Sequence, residues 1–153
     1  MRAVRYWSVE NAGLLEKLYK CVEWVLVLLH PLWKAIGYHR LEKPMAAAEK
    51  VIKGFLFDCQ MCGQCALSST GMSCSMNCPK TIRNGPCGGV RANGHCEVKP
   101  EMRCVWVEAV KGSRKMTEGN LINVVQLPVD YSLKGKSSWM KVAREKGEAR
   151  RAS

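Results

Sequence analysis

Apolar residues recur at roughly helical spacing between Asn11 and Trp33 and predict a long helix over that segment. Between Val25 and Leu29 the run is apolar on every side of such a helix, which predicts burial on more than one face. We expect this helix to be partly the core of the chain and partly a docking element for a larger partner. Pro31 is expected to kink the helix or to start a new one, because proline donates no backbone hydrogen bond.

A second apolar pattern predicts a helix that starts near Pro44, since proline is well suited to the first helical position. This helix leads the chain to Cys59. Its expected inward-facing stripe comprises Met45, Ala48, Val51, Ile52, Phe55 and Leu56.

Residues 58–104 contain six glycines, three prolines and two Asn-Gly pairs, so we expect little regular structure there beyond short helical turns. After Cys104 the stretch "VWVEAV" predicts a short packed segment with Trp106 in the core. The rest is a mostly polar tail with intermittent apolar anchors, which is typical of a segment that lies across another surface. A final basic helix, capped at Ser137 or Ser138, is expected near its end.

These patterns predict a small fold of helices and irregular, metal-stabilised, cysteine-rich structure in three parts. Residues 1–57 form an N-terminal helical arm, residues 58–110 a loop-rich cysteine domain, and residues 111–153 an extended basic tail that docks on a partner. The middle part has no aromatic residue between Cys59 and Cys104 and cannot bury enough apolar area to offset its ordering entropy. Because eight of the nine cysteines lie there, a metal or a cross-link is expected to hold it. We expect the ninth, Cys21, to be an inert buried thiol.

A disulfide scaffold would require an oxidising compartment. The one candidate export signal, Val22–Trp33, starts about twenty residues into the chain, includes Glu23, His30 and Pro31, and is shorter than the roughly 20 apolar residues of a membrane span. We therefore expect a cytoplasmic protein with reduced thiols and no membrane span. A redox-active pair in "CQMC" is not favoured, because no βαβ pattern surrounds it.

The chain is basic, with a formal net charge of +11. A positive net charge of this size favours binding to nucleic acid, to an anionic membrane or to an acidic protein partner. The basic residues are scattered and no aromatic ladder accompanies them, so a nucleic-acid-associated role remains only a second alternative. Lys80, Arg83 and Arg91 either offset anionic thiolates or belong to the solvated surface.

The cysteine spacing separates two kinds of metal centre. Structural zinc is usually bound by two CxxC pairs, whereas "CQMCGQC" places three cysteines on one loop at two-residue gaps. Three successive thiolates can each bind a different iron of a cubane, and bacterial ferredoxins combine such a triple with a later Cys-Pro, as in Cys78-Pro79 here. Eight cysteines divide naturally into two sites of four. Iron–sulfur is favoured, and zinc remains open.

The stretch "LFDCQMCGQCALSSTGMSCSMNCPKTIRNGPCGGVRANGHCEVKPEMRCVW" resembles the cysteine-rich C-terminal domain of methylenetetrahydrofolate reductase. "CGQC", "NCPK", "RNGPCGG" and "CEVKPEMRCVW" carry the resemblance together, and "LPVDYSLKGKSSWM" is similar to the family's tail. That domain also occurs as a small MetV-type accessory subunit beside a MetF-type flavoprotein.

The resemblance implies two [4Fe–4S] clusters and a MetF-type partner that carries the flavin, possibly with a further electron-donor protein. The implied metal ligands are Cys59, Cys62, Cys65, Cys74, Cys78, Cys87, Cys96 and Cys104. We expect the first three to share one site and the ligands of the two sites to interleave. Two zinc ions in a structural assembly module are the alternative.

The chain has no glycine-rich dinucleotide fingerprint and lacks the length of a flavin-binding barrel, typically about 250 residues. It also shows no obvious acid–base pair, so no catalytic residue is expected on it. We expect a non-catalytic subunit that relays electrons to or from the flavin during interconversion of methylene- and methyltetrahydrofolate.

Overall fold

The computed structural model describes residues 2–152, with the side chains of residues 3–150. Its six α-helices are α1 (Arg2–Glu10), α2 (Ala12–Leu28), α3 (His30–Ile36), α4 (Tyr38–Phe57), α5 (Val105–Ser113) and α6 (Ser138–Ala152). Three short 3₁₀ helices lie at Ser75–Asn77, Gly119–Asn123 and Tyr131–Leu133. Residues 2–152 form no β-strand beyond two isolated antiparallel bridges, Val90 with Cys96 and His95 with Arg103. The expected α-rich fold with an irregular cysteine region is confirmed.

The helix expected between Asn11 and Trp33 is two helices, α2 and α3, that meet at Leu29. Pro31 lies in the first turn of α3, where its missing N–H costs no helical hydrogen bond. Proline therefore starts a new helix here, which is one of the two outcomes that the sequence predicts.

The expected start of the next helix near Pro44 is wrong. Helix α4 begins at Tyr38, directly after Gly37, whose φ of 96° interrupts the helical path. Pro44 lies inside α4 and removes one hydrogen bond, the one its N–H would have donated to Arg40. The helix continues past it because every other turn keeps its bonds and because α4 packs on α1, α3 and α6.

The face of α4 that the apolar pattern predicts to be buried is largely exposed. Val51 is 71% exposed and Phe55 is 62% exposed, while the side chains that point inward at helical spacing are Glu49, Lys53 and Phe57. Glu49 and Lys53 can leave water because they pair with each other at 2.7 Å. Helix α4 thus buries an ion pair and Phe57 and presents Val51, Ile52 and Phe55 to the outside.

Helix α2 also buries a single face in this chain. Leu26 is buried, but Trp24, Val25 and Leu28 are exposed, so the expected burial on several faces is not found. Cys21, expected to be buried, is exposed. It follows the buried Ala12 by nine residues, which at 100° per residue places it on the opposite side of the helix.

The main apolar cluster joins α2 and α4 to the start of the cysteine region. It consists of Ala12, Leu15, Phe57, Leu67, Met72 and Met116, with Cys65 and Cys74 packed against it. A second buried element is Trp106 on α5, whose ring N–H donates to the carbonyl of Ile82 at 3.1 Å. Trp106 is 4% exposed, so its expected place in the core is confirmed.

The final helix is capped as the sequence predicts. The Oγ of Ser137 accepts a hydrogen bond from the backbone N–H of Met140 at 3.2 Å, which is the N-cap arrangement for a helix that begins at Ser138. Helix α6 then packs on α2, α3 and α4 of the same chain. No helix within residues 2–152 has both the length and the apolar character to cross a membrane.

Hydrogen bonds to Glu16 link α2 to the segment that follows α5. Its carboxylate is 2% exposed and accepts hydrogen bonds from the backbone N–H groups of Thr117 at 2.7 Å and Glu118 at 3.0 Å. Burial alone would raise the pKa of Glu16, but these two donors, together with Lys20, hold it below its usual value. A lowered pKa stabilises the fold above the ordinary glutamate pKa, and this stabilisation is lost as the pH falls through the folded-state value.

Glu16→Gln is therefore expected to lower the free energy of unfolding at pH 7 by about 1–3 kcal/mol, because one backbone N–H loses its acceptor. The difference in the free energy of unfolding between variant and parent should shrink in acid, where protonation makes the Glu16 side chain neutral, as glutamine is. Denaturant unfolding followed by circular dichroism at both pH values measures this, with exposed Glu148→Gln as the control. Equal stability of Glu16→Gln and the parent at pH 7 would contradict this role.

Candidate metal centre

The loop that holds the first three cysteines follows α4 directly. Asp58, Met61 and Gly63 all have positive φ, at 54°, 48° and 72°, so the chain curls tightly between the cysteines. A side chain on Gly63 would clash with the carbonyl oxygen of Leu133, so glycine is required on both counts. The curl brings the backbone N–H of Met61 to 3.4 Å from the Sγ of Cys59, where it can stabilise negative charge on sulfur.

Cys59, Cys62, Cys65 and Cys74 line one cavity. Burial, together with the neighbouring Cys59, Cys65 and Cys62, raises the pKa of Cys74 to about 12. Burial likewise raises the pKa of Cys59 to about 11, with Cys65 and Cys62 contributing. Thiols that shift one another's pKa lie close together, so these four form one group, which we call the first cysteine group.

The other four cysteines follow in the chain and do not line that cavity, and Cys104 packs with Trp106 and Ala109. Cys78 and Cys96 pack together with Met102 and Val105. The backbone N–H of Cys96 donates to Met102, and that of Cys104 donates to Gly94, both at 2.9 Å, so Cys96 and Cys104 flank the bridge between His95 and Arg103. Lys80 interacts electrostatically with both Cys87 and Cys96. We call Cys78, Cys87, Cys96 and Cys104 the second cysteine group.

The structure brings Cys59, Cys62 and Cys65 together, as expected, and Cys74 lines the same cavity. Spacing alone could not show this, because turns at Met72 and Gly71, with φ of 58° and 60°, return Cys74 to the first loop. Within residues 2–152, no three His, Cys, Asp or Glu side chains are arranged to hold a metal ion.

Basic side chains lie beside both groups. Arg83 lines the cavity of the first group and points its guanidinium at the carbonyl of Gln64, 3.4 Å away. Lys80, near the second group, is paired with Glu97. Lys80 and Arg91 are both exposed, which agrees with the solvated-surface interpretation for these two residues.

Sequence reasoning missed a buried polar cluster beside Cys65. Lys53 is 1% exposed, and its ammonium donates to Glu49 at 2.7 Å, to Ser138 at 2.8 Å and to the hydroxyl of Tyr19 at 3.2 Å. The Tyr19 hydroxyl lies 3.4 Å from the Sγ of Cys65. Burial opposes the charge on Lys53, but the neighbouring Cys65, Tyr19 and Glu49 outweigh it and raise its pKa. The only sign in the sequence is the i, i+4 spacing of Glu49 and Lys53, which is equally typical of a solvated helix face.

The tail covers the first cysteine group. Gly135 donates its backbone N–H to the carbonyl of Met61, and Asp130 donates its own to the side-chain carbonyl of Gln64, both at 2.8 Å. The tail expected to lie across another surface thus lies across this chain's own cysteine loop. Val124, Val125, Leu127 and Tyr131 of the tail remain exposed.

Comparison with known proteins identifies a family that the chain matches. The family model described as methylene-tetrahydrofolate reductase C terminal matches residues 38–132, a segment that begins with α4, contains both cysteine groups and ends in the covering tail. No curated protein and no solved structure matches the chain. The match spans well over half of the chain, and the protein belongs to the methylene-tetrahydrofolate reductase C-terminal family.

Proposed function

We propose that this chain is the iron–sulfur accessory subunit of a two-component methylenetetrahydrofolate reductase. In this proposal each cysteine group binds one [4Fe–4S] cluster, and the chain passes electrons to or from the flavin of a MetF-type partner. The observation that carries the proposal is the cavity lined by four cysteines, Cys59, Cys62, Cys65 and Cys74, with four further cysteines following them in the chain. Family membership supplies the reductase as the setting.

The chemistry of the first cysteine group fits such a cluster. Four thiols face one cavity, and each corner of a cubane takes one thiolate. The N–H of Met61 and the hydroxyl of Tyr19 approach two of the sulfurs and could offset their negative charge. A bound cluster would supply one-electron transfer, which the side chains of this chain cannot perform themselves.

Two zinc ions in a structural assembly module are the second candidate. The donor type suits it, because four thiolates also form a closed zinc site, although no three His, Cys, Asp or Glu side chains of residues 2–152 are arranged around a single ion. Such a module would stabilise the flavoprotein without carrying electrons. Nucleic-acid binding gains no such support, since several basic side chains, Lys20, Lys80, Lys111, Lys115 and Lys146 among them, pair with carboxylates of the same chain.

The exposed apolar face of α4 is the surface that we assign to the flavoprotein. Val51, Ile52 and Phe55 project from a helix whose opposite face is filled by Glu49 and Lys53. Large apolar side chains exposed together on one helix are typical of an interaction surface. The reductase body is the occupant we propose, because the family is named for its place at the C terminus of that enzyme.

Serine substitutions test the two-cluster assignment. Cys62→Ser is expected to remove the first cluster and Cys87→Ser the second, so each variant, purified without oxygen, should lose about half of the bound iron. Each should also lower the thermal unfolding temperature, because metal binding contributes to folding. Cys21→Ser, an exposed cysteine outside both groups, is the matched control and should keep all of the iron. Full iron content in Cys87→Ser would contradict the ligand assignment.

The docking surface is tested by placing a charge on it. Phe55→Glu is expected to weaken binding to the co-expressed flavoprotein at least tenfold, because a carboxylate cannot be buried unpaired at an apolar contact. Surface plasmon resonance measures the dissociation constant. Lys50→Glu, an exposed polar position on the same helix, is the matched control. If Phe55→Glu and a Val51→Glu/Phe55→Glu variant both bind like the parent, the flavoprotein docks elsewhere.

A further inference from the structure

We propose that Tyr19 is a positioning residue for the first cysteine group, and that its hydroxyl donates a hydrogen bond to the Sγ of Cys65 that raises the reduction potential of the cluster bound there. The proposal rests on the proposed function, since it presupposes an iron–sulfur cluster on that group. It assigns a role to a residue of α2, far from the cysteine loop in sequence.

The direction of the hydrogen bond follows from the groups around the tyrosine. An ammonium has three N–H donors and no acceptor. Lys53 directs its donors to Glu49, Ser138 and the Tyr19 oxygen. The Tyr19 oxygen therefore accepts from Lys53, and its single hydrogen is available for Cys65, whose Sγ lies 3.4 Å away. A tyrosine that could otherwise either donate or accept is thus held as a donor to sulfur.

The cluster around Lys53 keeps this arrangement fixed. The ammonium lies 5.2 Å from the centre of the Tyr19 ring and 5.1 Å from that of Trp139, so two aromatic faces confine it. Glu49 is held in turn by the hydroxyls of Ser137 and Ser138 and by the backbone N–H of Trp139. Glu49 partly balances the charge of Lys53, which also interacts electrostatically with Cys65, so Cys65 receives an oriented hydrogen bond beside a nearby ammonium.

A hydrogen bond to a ligating sulfur affects the two oxidation states unequally. Reduction adds an electron and increases the negative charge on the cluster and its thiolates, so a donor stabilises the reduced state more than the oxidised one. Removal of the Tyr19 hydroxyl should therefore lower the reduction potential of this cluster. The second cysteine group, which includes Cys96 and Cys104 at the β-bridges, should be unaffected.

The test compares the reduction potentials of Tyr19→Phe and the parent, as the full chain purified without oxygen and titrated with detection by electron paramagnetic resonance. One of the two potentials is expected to fall and the other to stay unchanged, with equal iron content in both proteins. Tyr38→Phe is the matched control, because the Tyr38 hydroxyl also makes a partly buried hydrogen bond, 2.6 Å from the Nδ1 of His30. Both potentials should be unchanged in that variant.

The outcomes separate the two proposals. Equal iron content with unchanged potentials in Tyr19→Phe overturns the role of Tyr19 and leaves the clusters in place. A parent protein that binds zinc and no iron overturns both proposals.

If Tyr19→Phe does not fold, the parent labelled with 3-fluorotyrosine at all four tyrosines provides the test. Its more acidic hydroxyls are stronger donors, so one potential should rise. No shift in the labelled protein overturns the inference.

Discussion

A buried ammonium needs a carboxylate and further hydrogen-bond partners before it can leave water, and Lys53 finds them on three elements. Glu49 comes from its own helix, Ser138 from the start of α6, and Tyr19 from α2. Loss of one partner of such a pair typically costs about 3–5 kcal/mol, because the other charge stays buried and unpaired. The position of α6, and with it the tail that lies on the cysteine loop, depends on this pair.

The same pair explains the surface of the protein. Because Glu49 and Lys53 occupy much of the inward face of α4, Val51, Ile52 and Phe55 of that helix face outward. A chain that exposes Val51, Ile52 and Phe55 while burying a lysine is better suited to binding a partner than to remaining a monomer. That is consistent with a family whose members form part of a reductase. One face of α4 would then contact the partner, and the opposite face would pack beside the first cysteine group.

Local signals in the sequence were sufficient to predict the new helix at Pro31, the buried Trp106 and the helix cap at Ser137. Each of these predictions depends on neighbouring residues alone. Local signals wrongly predicted burial for the apolar stripe of α4 and for Cys21. Apolar periodicity identifies the apolar face of a helix, but it does not show whether that face packs against the same chain or against another one. Glu49 and Lys53 were missed since their partners lie 85 or more residues away, or on α2. The approach of Cys74 to the first three cysteines also depends on the turns at Gly71 and Met72, which cysteine spacing does not encode.

The role proposed for this chain depends on iron–sulfur clusters bound by the two cysteine groups. Iron, acid-labile sulfide and zinc analysis of the unlabelled parent protein, expressed and purified under strict anaerobiosis, tests it most directly. Two [4Fe–4S] clusters require about eight iron and eight sulfide per chain, with a broad visible absorption that bleaches on reduction. A colourless protein with about two zinc ions, no iron and no sulfide would contradict the account and leave the zinc-stabilised module in its place.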